Sequence, residues 1–142
     1  METMVAALVS ATFVALALWH VQMAFTTSGT ESGAVPSEDG KPLFVPSRRA
    51  TLIVAFALLV FGALVAATAG LVQVGVSRRL LSWSCYFLAL GLVARAVGEF
   101  KYVGFFKRVR GSKFARLDTL IYSPLCLLLG IGAAVVASAN AN

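Results

Sequence analysis

The stretch TLIVAFALLVFGALVAATAGLVQV, Thr51 to Val74, carries no charged side chain. At about 1.5 Å of rise per residue, a helix of that length crosses the roughly 30 Å hydrocarbon core of a bilayer. Working outward from it, three further apolar segments come into view: Val5 to Phe25, Leu80 to Val97 and Leu120 to Ala139. The third segment along the chain is the shortest. Trp83 and Tyr86 suit one interface and Arg95 snorkels to the other; a re-entrant segment is the structural alternative. The expected fold class is therefore all-α. It is a polytopic membrane protein of about four transmembrane helices, one four-helix domain over residues 1–142, with an interfacial amphipathic segment between helices three and four.

Composition agrees. The 142 residues are 59% hydrophobic and 13% charged, whereas soluble domains carry about 25% charge. Four spans leave no room for a separate catalytic domain, so any site must be built from helices and short loops. Net charge is +6, but the Lys and Arg sit in short stretches between apolar segments, where they set orientation and meet anionic headgroups. That placement argues against nucleic acid as a partner. The first apolar run lacks a basic leader and exceeds a signal-peptide core, so it reads as a retained helix. Cys85 and Cys126 fall in different spans, roughly 10 Å apart in depth, which is too far for a relaxed disulfide.

Between the first two spans, Thr26 to Ser47 is rich in Gly, Ser, Thr and Pro and reads as a mobile, solvated loop without chemistry; Leu43, Phe44 and Val45 can touch the membrane surface. A tight turn around Gly75 to Ser77 makes spans two and three antiparallel neighbours. Loops one and three hold Lys41, Arg48, Arg49, Lys101, Lys107, Arg108, Arg110, Lys113 and Arg116, against Arg78 and Arg79 on the other side. The positive-inside rule then puts both loops in the cytoplasm and both termini outside. Small residues spaced by four, at Ala7, Ala11 and Ala15, at Gly62, Ala66 and Gly70, and at Gly130, Ala134 and Ser138, offer seams for close helix packing.

With that orientation, the polar groups gather at one depth. Span one brings Trp19, His20 and Gln22 to the cytoplasmic end; span three brings Arg95 and Glu99; span four brings Asp118, Tyr122 and Ser123. Arg95 and Glu99 are four apart, so a continuing helix pairs them. His20 has the pKa range for proton handling, although beside Trp19 it serves equally as an interfacial anchor. One His and one carboxylate pair fall short of the three or four ligands zinc takes, and no metal or cofactor is expected.

The densest polar stretch is Glu99 to Asp118. On a helical wheel Tyr102, Phe105, Phe106 and Val109 share one face while Lys101, Lys107, Arg108 and Arg110 spread over the rest. That pattern places aromatics at the acyl boundary and cations among headgroups. Phe100 and Val103 break it, and Gly104 and Gly111 interrupt a helix. Pro124, inside span four, removes a donor and frees the Leu120 carbonyl, opening a small inner-leaflet cavity or simply bending the helix.

The same stretch carries a resemblance. Arg95, Gly98, Glu99, Phe100, Lys101, Gly104, Phe105 and Lys107, followed by Phe114, Ala115, Asp118 and then Tyr122, Ser123, Pro124, Leu125 and Cys126, resemble a signature of small bacterial membrane proteins grouped as a domain of unknown function. Glu99 stands where that pattern has Asp, Leu120 where it has a basic residue, and span one lacks a Gly pair. The resemblance covers the last third of the chain and implies a small multi-span membrane protein, with no activity attached.

Three functional classes compete. The leading one is a non-enzymatic protein that binds an anionic lipid headgroup or small anion at the cytoplasmic leaflet, alone, as a homo-oligomer or within a larger complex. Its candidate residues are Arg95, Glu99, Lys101, Tyr102, Phe105, Lys107, Arg108, Asp118, Tyr122 and His20. A small oligomeric transporter would use Arg95 and Glu99 along its path, but spans one, two and four carry no charge at mid-depth, where transport sites lie. A membrane enzyme of lipid or quinone chemistry would use His20, Glu99, Asp118 or Tyr122 as acid or base, yet the chain has no nucleophile elbow and no phosphate-binding glycine loop.

Overall fold

The computed structural model describes residues 1–26, 33–39 and 41–141. Its helices are α1 Glu2–Phe25, α2 Arg48–Thr68, α3 Arg78–Val97, a short α4 Lys113–Leu117 and α5 Ser123–Ala139, with a π-turn over Asp118–Tyr122 joining the last two. Four helical stretches are long and apolar enough to span a bilayer, the fourth running unbroken from Lys113 to Ala139. The protein is an all-α, multi-span membrane protein.

Local sequence sets the helix ends. Ser47, Ser77 and Ser112 each accept a backbone N–H three residues on, from Ala50, Leu80 and Ala115, and so start α2, α3 and α4. Ser112 therefore starts the fourth span seven residues before the Leu120 expected from hydropathy. Helix α2 stops at Thr68 because Gly70, at φ +73°, turns the chain back: Gly70 donates to the Ala67 carbonyl and Leu71 to that of Ala66, the paired bonds of a Schellman ending. Span two is thus shorter than the apolar run that ends at Val74. The link to α3 is the longer segment 69–77 rather than a tight turn at Gly75.

Helix α1 packs along α2 and α3 along α5, with α1 against α5 joining the pairs. Lipid is as apolar as a leucine core, so close contact and hydrogen bonds must hold such helices. Ser10 Oγ donates to the Gly62 carbonyl at 3.0 Å, and a Cβ on Gly62 would stand 3.2 Å from that of Phe13. Gly132 leaves room for Val9, Gly130 meets the Ala89 carbonyl, and Ser82 Oγ donates to the Asn140 carbonyl at 2.9 Å. Phe13, Val65, Cys85, Ala133 and Val136 form the buried centre. The expected Ala7, Ala11 and Ala15 seam is exposed; α1 buries Ala6, Val9, Phe13 and Ala17 instead. A four-residue spacing defines a stripe, and neighbouring stripes on one helix satisfy it equally. Both cysteines are free thiols.

The described part of loop one is no unstructured linker. Strands β1 Ser37–Glu38 and β2 Lys41–Pro42 form a small antiparallel hairpin. Residues 27–32, with Glu31, and residue 40 lie outside the described residues.

Candidate functional site

Where the chain leaves α3, residues 98–112 form no helix, so the wheel drawn through Tyr102, Phe105, Phe106 and Val109 does not apply. Gly98 closes α3 at φ 87°, ψ −176°, a conformation essentially reserved for glycine. The loop then crosses itself backbone on backbone. A Cβ on Gly98 would overlap the Val103 carbonyl, and one on Gly104 would overlap the Val97 carbonyl. Phe100, at φ 67°, is also held in the left-handed region that side chains disfavour. Phe105 N–H closes the crossing on the Ala96 carbonyl at 2.9 Å.

The loop winds around Asp118, which is 0% exposed. Asp118 Oδ1 accepts from Arg95 Nη2 at 2.8 Å. Its Oδ2 accepts from the Gly104 N–H at 2.7 Å and from Lys107 Nζ at 2.9 Å. Lys107 uses all three ammonium protons, donating also to the Gly104 carbonyl at 2.8 Å and to Thr119 Oγ1 at 2.6 Å. Burying charge is tolerable only when it is paired and hydrogen-bonded, and Lys107 and Asp118 meet both conditions. Two cations face one carboxylate, so the cluster keeps one positive charge. Among the described residues, two buried side-chain polar atoms have no hydrogen-bond partner, Arg95 Nη1 and Ser123 Oγ.

The π-turn positions the carboxylate. The Ser123 N–H reaches back to the Asp118 carbonyl, five residues earlier, just ahead of Pro124, whose nitrogen has no hydrogen to give. A π-turn inserts an extra residue into the helix and recurs at functional places.

Several expected site residues lie elsewhere. Glu99 is exposed and accepts from the Tyr102 N–H at 3.2 Å; the helix ends before Glu99, so the expected Arg95–Glu99 pair does not form and Asp118 takes the arginine. Lys107 is buried instead of lying among headgroups. His20 Nδ1 shares a hydrogen bond with the Leu16 carbonyl of its own helix at 2.8 Å and takes no part in the cluster. Tyr102 donates to Glu38 at 2.9 Å and Tyr122 to the Gly33 carbonyl at 3.3 Å, so both tie loop one down. Lys101 lies 4.7 Å over the Tyr102 ring, and Tyr102, ahead of Glu38 and Glu99, raises its pKa above the usual lysine value. Arg108 is exposed.

Sequence reasoning did not single out Arg110 and Arg116 as a pair. With Phe105, Ala115, Thr119 and Leu120 they line an open cleft of about 270 Å³ between loop three and the start of the fourth span. Arg110 Nε donates to the Lys107 carbonyl at 3.2 Å. Neither arginine has an acidic partner among the described residues. Their spacing of six suggests no shared helical face; the non-helical loop brings them together. Among the described residues no three His, Cys, Asp or Glu gather as a metal would need.

No curated protein and no solved structure matches the chain. The model of the family described as protein of unknown function DUF3995 matches residues 13–133. That covers most of the chain, including both spans that frame the Asp118 cluster, and the protein belongs to this family.

Proposed function

We propose that this protein binds an anionic lipid headgroup at the cytoplasmic leaflet of a bacterial inner membrane, in the cleft between loop three and the fourth span. The observation that carries the reading is the pair Arg110 and Arg116, lining one cleft with no carboxylate among the described residues to neutralise them. The division of labour among the cations supports it. Arg95 and Lys107 are engaged by Asp118, whereas Lys101, Arg108, Arg110 and Arg116 face outward at the same end. Cations near an anionic surface gain on the order of 1 kcal/mol each. Apolar side chains adjoin the charges: Phe106, Leu120 and Ile121 are exposed and suit acyl chains. The excess of Lys and Arg at this end supports its cytoplasmic placement.

The test is native mass spectrometry of the full chain, purified in mild detergent and offered phosphatidylglycerol and phosphatidylcholine in equal amounts. Phosphatidylglycerol adducts should dominate, and Arg110→Gln with Arg116→Gln should abolish the preference. Equal retention of the two lipids by the unaltered protein defeats the reading.

A further inference from the structure

The cleft has a polar lining of one sign. Its charged groups are Arg110 and Arg116, its neutral polar group is Thr119, and the rest is Phe105, Ala115 and Leu120. Behind Thr119, among the described residues, stands the carboxylate of Asp118, whose two oxygens are already filled by Arg95, Gly104 and Lys107 and which is 0% exposed. Among the described residues the cleft lining holds no free carboxylate for the ammonium of an ethanolamine or serine headgroup. Thr119 is itself occupied, accepting from Lys107 and donating to the Ala115 carbonyl at 3.1 Å. Recognition therefore falls to two guanidinium forks, and such forks match phosphate by paired N–H···O bonds.

A phosphodiester headgroup offers one charge and two free oxygens, which one arginine can saturate. A terminal phosphate monoester offers three oxygens and nearly two charges at neutral pH, enough to engage both arginines at once. Leu120, 72% exposed beside the cleft, continues the apolar wall along the span, so the phosphate arrives on an acyl chain. We propose that the cleft selects a lipid ending in a phosphate monoester, of the phosphatidic acid class, over phosphodiester lipids. This rests on the reading that the cleft binds anionic lipid.

The experiment offers the full chain in mild detergent equal amounts of phosphatidic acid, phosphatidylglycerol and phosphatidylcholine and counts retained lipids by mass. Phosphatidic acid should exceed phosphatidylglycerol roughly ten-fold at about pH 7.5, the size of one charge-assisted hydrogen bond. The excess should fall as pH drops through about 6, where the monoester loses its second charge. Arginine does not titrate in that range, so the charge of Arg110 and Arg116 stays constant while that of the lipid changes. Arg116→Lys, which keeps charge but loses the fork, should erase the phosphatidic acid excess and keep the preference for anionic over zwitterionic lipid. Equal retention of phosphatidic acid and phosphatidylglycerol, both above phosphatidylcholine, overturns the selectivity and leaves anionic lipid binding standing; equal retention of all three removes both. Glycerol phosphate displacing the lipid at equal concentration overturns the acyl-chain part, because a free phosphate would then suffice.

Discussion

Lys107 and Asp118 meet at 2.9 Å with side chains 1% and 0% exposed, and the bond fastens loop three to the span that follows it. Removing one partner of such a pair leaves the other charge buried and unanswered, at about 3–5 kcal/mol. Asp118→Asn should lower thermal stability in detergent by that order. Adding Lys107→Met should cost less than the sum of the single changes, since contacting partners couple. Additive losses would show that the two residues act independently.

Glu99 should behave in the opposite way. It is exposed and caps only the Tyr102 N–H, so Glu99→Gln should cost under about 1 kcal/mol. Its effect should add to that of Arg95→Gln in thermal unfolding. A coupling above about 0.5 kcal/mol would restore an Arg95–Glu99 pair.

Gly104→Ala should open loop three, because a Cβ there overlaps the Val97 carbonyl, while Gly111 has nothing within 4 Å and serves as the control. Limited trypsin digestion should cut faster at Lys101 to Arg110 in Gly104→Ala and at the unaltered rate in Gly111→Ala. Identical digestion of both variants would refute the backbone crossing.

Ser123→Ala should be neutral or stabilising. The Ser123 hydroxyl is buried without a partner among the described residues, and an unsatisfied polar group costs about 1–3 kcal/mol. A clear drop in unfolding temperature would mean that the hydroxyl serves a bound water or ligand.

Orientation is open to cysteine labelling. Ser37→Cys and Gly111→Cys should be protected from impermeant reagents in intact cells, and Ser138→Cys should react. Labelling at position 111 would place loop three outside and with it the whole cationic end.

The spans were legible because an uncharged run such as Thr51 to Val74 has one physical use. Their ends were less so: hydropathy carried span two on to Val74, while Gly70 at φ +73° ends the helix at Thr68. That Arg95 and Asp118 share a depth followed from topology alone. Their pairing did not, because Glu99 stands at helical spacing from Arg95 and only the termination at Gly98 removes it. Lys107 was the hardest to place. A lysine in a basic, aromatic stretch reads as solvated, and its burial depends on the Gly98–Gly104 crossing, which no periodicity encodes. Arg110 and Arg116 share no regular spacing for the same reason.

The carboxylate that holds loop three in shape comes after it in the chain. Synthesis from the N-terminus produces Arg95 and Lys107 before Asp118 exists, so both stand uncompensated while the third span is being inserted. Their charge is partly cancelled only once Asp118 and the fourth span arrive. The fastening of loop three therefore waits on the span that follows it, and the loop cannot take its final shape until Asp118 has arrived.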